Sequence, residues 1–157
     1  MTVGVLKVAG LVASTRRKAR SLALQALYAA DIAHHPAQAS VEELLLESTL
    51  PLQAQQYARE AVVGVVEHKQ EIDRLIQTVA PLWPLDQVPA VDLNVLRLAI
   101  FEILFNNRGR STPPGAIINE AVDLAKRFGS EHSARFVNGV LGKVADNMLG
   151  VAGSETT

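Results

Sequence analysis

Residues 90–106, AVDLNVLRLAIFEILFN, are apolar nearly all the way round a helical projection. A helix of that kind leaves apolar surface in water unless other helices enclose it. The rest of the chain therefore has to supply the cover. Elsewhere apolar residues recur at three and four spacing, and no stretch joins strand alternation to hairpin turn signals. The pattern predicts an all-α fold, a compact bundle of about six or seven helices around that central segment.

The flanking elements follow from stripes and punctuation. Ser14 or Thr15 is a suitable N-cap for a first helix whose stripe is Ala19, Leu22, Ala23, Ala26, Leu27 and Ala30, ending near His34-His35-Pro36. Ser40-Val41-Glu42-Glu43 has capping-box spacing, which predicts a short helix to about Ser48. After Pro51 the stripe Tyr57, Ala58, Ala61, Val62, Val65, Val66 continues through Ile72, Leu75, Ile76 and Val79, and Pro81, Pro84 and Pro89 mark a connection. Residues 107–115 read as a loop, with Gly109 near a helix end and Pro113 or Pro114 near the next start. Ile117 to Phe128 is amphipathic with Gly129 as a C′ residue, and Ser130 is positioned to cap a last helix from about Glu131 to Met148. Residues 1–15 are expected to be a flexible extension, 16–148 the folded domain and 149–157 a disordered tail.

A chain of 157 residues, 48% hydrophobic and 20% charged, buries enough apolar surface to fold as one domain or two small lobes. It contains no cysteine, which excludes disulfides, thiolate metal sites and cysteine nucleophiles and points to the cytoplasm. The apolar start is interrupted by Lys7 and is too short for a membrane helix. No Gly-rich phosphate loop, H-E-x-x-H helix or nucleophile elbow occurs, so no catalytic residue, metal ligand or cofactor is assigned. His34 and His35 read as solvated loop residues. Glu67, His68 and Glu71 share a helical face and are read as a solvated surface rather than a general-base site.

Charge distribution says more than the net charge of −1. Residues 1–30 hold five basic and no acidic side chains, leaving ten basic and sixteen acidic in the remainder. Arg16, Arg17, Lys18 and Arg20 fall within about one and a half helical turns. At the start of a helix such cations oppose the macrodipole, so they call for an anionic partner; a solubilising end is the other reading. Tyr28 lies two turns further on, while Phe128 and Phe136 flank GSEHSAR beside Lys126, Arg127 and Arg135. Cations that track phosphates and aromatic faces that stack bases together describe single-stranded RNA recognition, with core packing the alternative role for each Phe.

Three segments carry a family resemblance: RRKARSLALQALYAADI (16–32), VDLNVLRLAIFEILF (91–105) and AIINEAVDLAKRFGSEHSARFVNGVLGKVA (116–145). In order and separation they resemble the transcription antitermination factor NusB family, over about residues 16–146, and Trp83 falls where the family often has tryptophan. The resemblance implies a non-enzymatic, all-helical protein that pairs with the ribosomal protein NusE. The pair would bind boxA RNA of ribosomal RNA leader transcripts and join NusA and NusG on RNA polymerase.

By position, the resemblance implies that Arg16, Arg17, Lys18 and Arg20 contact RNA phosphates. It adds Lys126, Phe128, His132 and Phe136 from the turn that helps bind RNA, His132 standing where some relatives carry an acidic residue. Tyr28, Asp92 and Arg97 correspond to positions at the NusE interface. Asn119, Glu120, Asn138 and Gly139 belong to the signature and are expected to serve packing. Some family members self-associate, so a homodimer stays open. The alternatives are the NusB-like domain of an RNA 5-methylcytosine methyltransferase, which would need a Rossmann-like domain downstream, and a helical adaptor that binds protein only.

Overall fold

The computed structural model describes residues 2–106 and 112–155, with side chains described for 14–106 and 112–148. Among these residues there are six α-helices, one 3-10 turn and no strand: α1 Thr2–Ala33, α2 Ala37–Leu46, α3 Leu52–Val79, the 3-10 turn Leu85–Gln87, α4 Ala90–Leu104, α5 Pro114–Phe128 and α6 Ser133–Glu155. None is long and apolar enough to cross a membrane. The chain divides into two compact units, residues 1–63 and 64–157, with the boundary inside α3.

In the first unit α1 packs on α2. Ala19, Ala23, Ala26 and Leu27 of α1, Val41 and Leu45 of α2, and Ala54, Ala58, Ala61 and Val62 of α3 are buried. Two expected caps are displaced. α1 extends back to Thr2, so Ser14 and Thr15 lie inside a continuing helix rather than at its start. α2 begins at Ala37, with Pro36 at the N-cap in extended conformation and its carbonyl accepting the Ser40 N–H at 3.1 Å. Proline's fixed φ suits that position, and Ser40 is buried in the first turn instead of capping it. α1 stops where His34 takes φ 56, in the left-handed region. A second tie is ionic: Arg59 donates to both carboxylate oxygens of Glu42.

The second unit is organised around α4, as its sequence requires. Twelve consecutive residues, Asp92 through Ile103, are buried, and α4, α5 and α6 each pack against the other two. The Phe101 ring lies against the α3 backbone at Gly64, where an added Cβ would strike the ring. Two buried polar groups of α4, Arg97 and Asn94, are supplied with partners. Arg97 donates to Asp73 of α3 at 2.9 and 3.0 Å and to the Asn94 side-chain oxygen at 3.2 Å, while Asn94 donates to the Ala90 carbonyl at 2.8 Å.

Pro113 caps α5 and Pro114 opens it, and the loop expectation at Gly109 lies outside the described residues. Gly129 ends α5 with φ −98 and ψ −165, an extended rather than a left-handed residue. Crowding explains the glycine: a Cβ there would collide with the Ser133 side chain and the Ala125 carbonyl. Ser130 heads the following turn, its N–H donating to the Ser133 hydroxyl at 2.9 Å and its hydroxyl accepting from the His132 N–H at 3.4 Å. These exchanges fix the geometry of the α5–α6 corner.

Candidate nucleic-acid interface

The basic run sits about four turns inside α1, so its cations do not face the positive end of a helix dipole, and opposition to the dipole is no ground for an anionic partner. Position on the helix supplies a better one. At 100° per residue Arg16, Arg17 and Arg20 fall within an arc of about 100°, and Lys18 points roughly 100° beyond Arg17. The same arc further along carries Leu24 and Leu27, both buried. That face of α1 is thus apolar and buried at Leu24 and Leu27 and basic at Arg16, Arg17 and Arg20. Arg16, Arg17 and Lys18 are exposed; Arg20 is half-buried with its guanidinium 5.5 Å from the Tyr57 ring centre. Further along, Tyr28 and Ile32, one turn apart, are 40% and 59% exposed.

In the second unit the α5–α6 corner gathers Lys126, Arg127, Phe128, His132, Arg135 and Phe136. Lys126 and His132 are exposed, and the His132 Nε2 lies 3.2 Å from the Glu131 carboxylate. Phe128 is 38% exposed, with the Arg127 guanidinium 5.4 Å from its ring centre. Phe136 is half-buried. Its neighbours Val137, Val140, Leu141 and Val144 take the core, and Phe136 meets Trp83 edge to face at 6.0 Å and 73°. Beside this pair opens a groove of about 320 Å³, walled by Pro81, Leu82 and Trp83 on one side and by Arg135, Phe136 and Lys143 on the other.

The residues of α4 are placed differently. Asp92 and Arg97 are 4% and 5% exposed. The Arg97 guanidinium is occupied by Asp73 and Asn94, so it shapes the α3–α4 surface from within. One Asp92 carboxylate oxygen is shut away from solvent without a hydrogen-bond partner. His68 is not solvated as its sequence suggested: it is half-buried and stacked on Phe105 at 3.9 Å and 12°. Its Nδ1 is 3.6 Å from Glu71, and the ring belongs to an aromatic cluster with Phe101 and Phe105.

The signature residues also depart from expectation. Asn119, Asn138 and Gly139 are exposed, and a Cβ at Gly139 would meet nothing within 4 Å, so close helix packing is not what that glycine serves. Trp83, Lys143, Gly139 and Asp73 were not singled out as site or anchoring residues by sequence reasoning. For Trp83 a signal existed: it is the single tryptophan, set between prolines in a connecting segment, where burial is not required of it. Lys143 and Arg135, eight positions apart on α6, frame Phe136, Gly139 and Val140, a spacing that places all five along one helical side.

Fold and site together define an all-helical binding protein with exposed cations and aromatics on two surfaces. The NusB family model matches residues 17–146. Transcription antitermination protein NusB of Roseiflexus castenholzii is 47% identical over 132 residues, 84% of this chain and 92% of that protein. The Chloroflexus aggregans protein of the same name is 44% identical over 137 residues, covering 87% and 91% of the two chains. Among solved structures, NusB of T. maritima superposes with TM-score 0.77 at 36% identity, covering 83% of this chain and 90% of that one. A crystal structure of antitermination factors NusB and NusE in complex with dsRNA matches with TM-score 0.76 at 30% identity, covering 85% and 98%. The chain belongs to the NusB family of transcription antitermination factors, which are RNA-binding proteins rather than enzymes.

Proposed function

We propose that this chain acts in transcription antitermination in the cytoplasm, binding boxA RNA of ribosomal RNA leader transcripts as a heterodimer with NusE. Through that heterodimer it joins NusA, NusG and RNA polymerase. The observation that carries the RNA reading is the basic arc of Arg16, Arg17 and Arg20, a face of α1 that stops being core and becomes cationic. Exposed Phe128, half-buried Phe136, Lys126 and His132 supply a second surface with the means to stack bases and hold phosphates.

For the protein partner, Tyr28 offers an exposed aromatic face in one unit and Asp92 an unpaired buried oxygen in the other. Arg97 contributes by holding Asp73 and Asn94 in place. A gel shift comparing boxA and scrambled single-stranded RNA, with a duplex control and with or without NusE, tests the reading. Preferential binding of boxA that tightens with NusE is expected. Equal binding of every RNA in the presence of NusE would remove the boxA assignment.

A further inference from the structure

The groove beside Trp83 and Phe136 has features that packing does not account for. Trp83 is 55% exposed and Leu82 88% exposed, large apolar surface left in water at the edge of a concavity. Gly139 is exposed and lines the same groove. A glycine inside a helix costs about 0.5–1 kcal/mol relative to alanine. Where no neighbour needs the space that cost has no return within the fold, and a Cβ at Gly139 would meet nothing within 4 Å. Its effect is to leave that part of the groove lining without a side chain. The rim is cationic: Arg135 and Lys143 are exposed, and neither has an ion pair among the described residues.

We propose that this groove is a nucleotide subsite, in which an unpaired base of a single RNA strand stacks on Trp83 beside Phe136, with Arg135 and Lys143 on the flanking phosphates. The proposal rests on the RNA-binding reading and deepens it, adding Trp83, Gly139, Arg135 and Lys143 to the residues that touch RNA. Charge chooses the occupant. A pocket near the small end of the ~300–1,000 Å³ range for small ligands, apolar inside and doubly cationic at the rim, fits a flat aromatic group carried on a polyanion. An apolar peptide side chain would fill the interior but leave both cations without a use.

The chain carries one tryptophan, so its emission reports this groove alone. Single-stranded boxA RNA is titrated into the full-length protein, following Trp83 fluorescence and, in parallel, the anisotropy of end-labelled RNA. Trp83 emission is expected to be quenched over the same concentrations at which anisotropy rises. Gly139→Leu, which fills the groove from an uncrowded position, should weaken RNA binding roughly tenfold with an unchanged or higher melting temperature. Arg135→Gln and Lys143→Gln, surface changes that leave the fold intact, should weaken binding and flatten its salt dependence. RNA binding with Trp83 emission unchanged, or wild-type affinity in a folded Gly139→Leu variant, would overturn the subsite while leaving the RNA reading in place. No RNA binding at all, with or without NusE, would remove both. Quenching by NusE alone, without RNA, would make the groove a protein site and overturn the proposal.

Discussion

Arg97 of α4 grips Asp73 of α3 through two parallel hydrogen bonds, 2.9 and 3.0 Å long, with the arginine side chain 6% and the aspartate 20% exposed. Fork-to-carboxylate pairing of this kind is geometrically specific, and removing one member strands the other in a poorly solvated place. Arg97→Ala is therefore expected to destabilise the protein by about 3–5 kcal/mol. Urea denaturation of Arg97→Ala, Asp73→Ala and the double variant checks it. A double variant no worse than either single one shows the coupling; strictly additive losses would show that the two residues act separately.

The glycines of α3 and α6 give a second pair of expectations with opposite signs. Gly64→Ala brings a Cβ into the Phe101 ring, so overpacking of about 1–3 kcal/mol outweighs the better helix propensity of alanine, worth about 1 kcal/mol. Gly139→Ala meets nothing and should stabilise by about 0.5–1 kcal/mol. Thermal melts of the two variants should move in opposite directions. Two shifts of the same sign would contradict the packing described at one of the sites.

How much of this was legible in the sequence divides by mechanism. The enclosure of α4 followed from its sequence because burial on all sides demands apolar residues on all sides, and Asp92 through Ile103 are buried. Helix starts were less legible. Ser40 has the chemistry of an N-cap, but Pro36 already supplied the extended entry residue, and local capping signals do not say which of two candidates is used. The basic run was visible as charge, while its division into an arc of three arginines and a divergent Lys18 needed the helix phase through that segment. Asp73–Arg97 and the groove beside Trp83 join residues far apart in sequence, and no periodicity within one helix encodes such a meeting.

That phase sharpens the electrostatic expectation. Each phosphate contact on a single strand contributes about 0.7 to the log–log salt slope, so a face of three arginines gives roughly −2 and inclusion of Lys18 roughly −3. Arg16→Ala and Arg17→Ala should each reduce the magnitude of the slope by about 0.7, and Lys18→Ala should change it less. Binding isotherms from 50 to 200 mM salt, roughly the range over which such contacts are felt, make the comparison. Equal slope changes for Lys18 and Arg16 would place all four cations on the RNA.

In the first unit, hydrogen bonds from the Arg59 guanidinium to Glu42 hold the Glu42 carboxyl below its ordinary range and raise Arg59. The folded-state value of Glu42 is the depressed one, so the stability it adds is fully present above the ordinary carboxylate value. It is lost as pH falls through the lowered value. Both side chains are solvent-exposed, which keeps the effect small and salt-sensitive. Glu42→Gln should thus be less stable than the wild type at neutral pH and indistinguishable from it in strong acid. Paired melts across pH 2–7, about the span over which carboxylates titrate, read the difference; a gap that persists undiminished in acid would assign it to something other than this carboxylate.

Asp92 offers the sharpest separation of stability from function. It stands in the first turn of α4, where a carboxylate is favoured by about 0.3–1 kcal/mol, yet one of its oxygens is buried without a partner, which costs about 1–3 kcal/mol or more for a charged group. The desolvation penalty outweighs the dipole's contribution, so Asp92→Ala should stabilise the isolated chain by about 1 kcal/mol, or some 2–4 °C in melting temperature. A donor from NusE that satisfied the orphan oxygen would reverse the balance in the complex. The same variant should then bind NusE at least tenfold more weakly, measured by calorimetry beside the melt. A stabilised variant with unchanged NusE affinity would remove Asp92 from the partner surface, and a destabilised one would mean that the oxygen finds its partner within the chain.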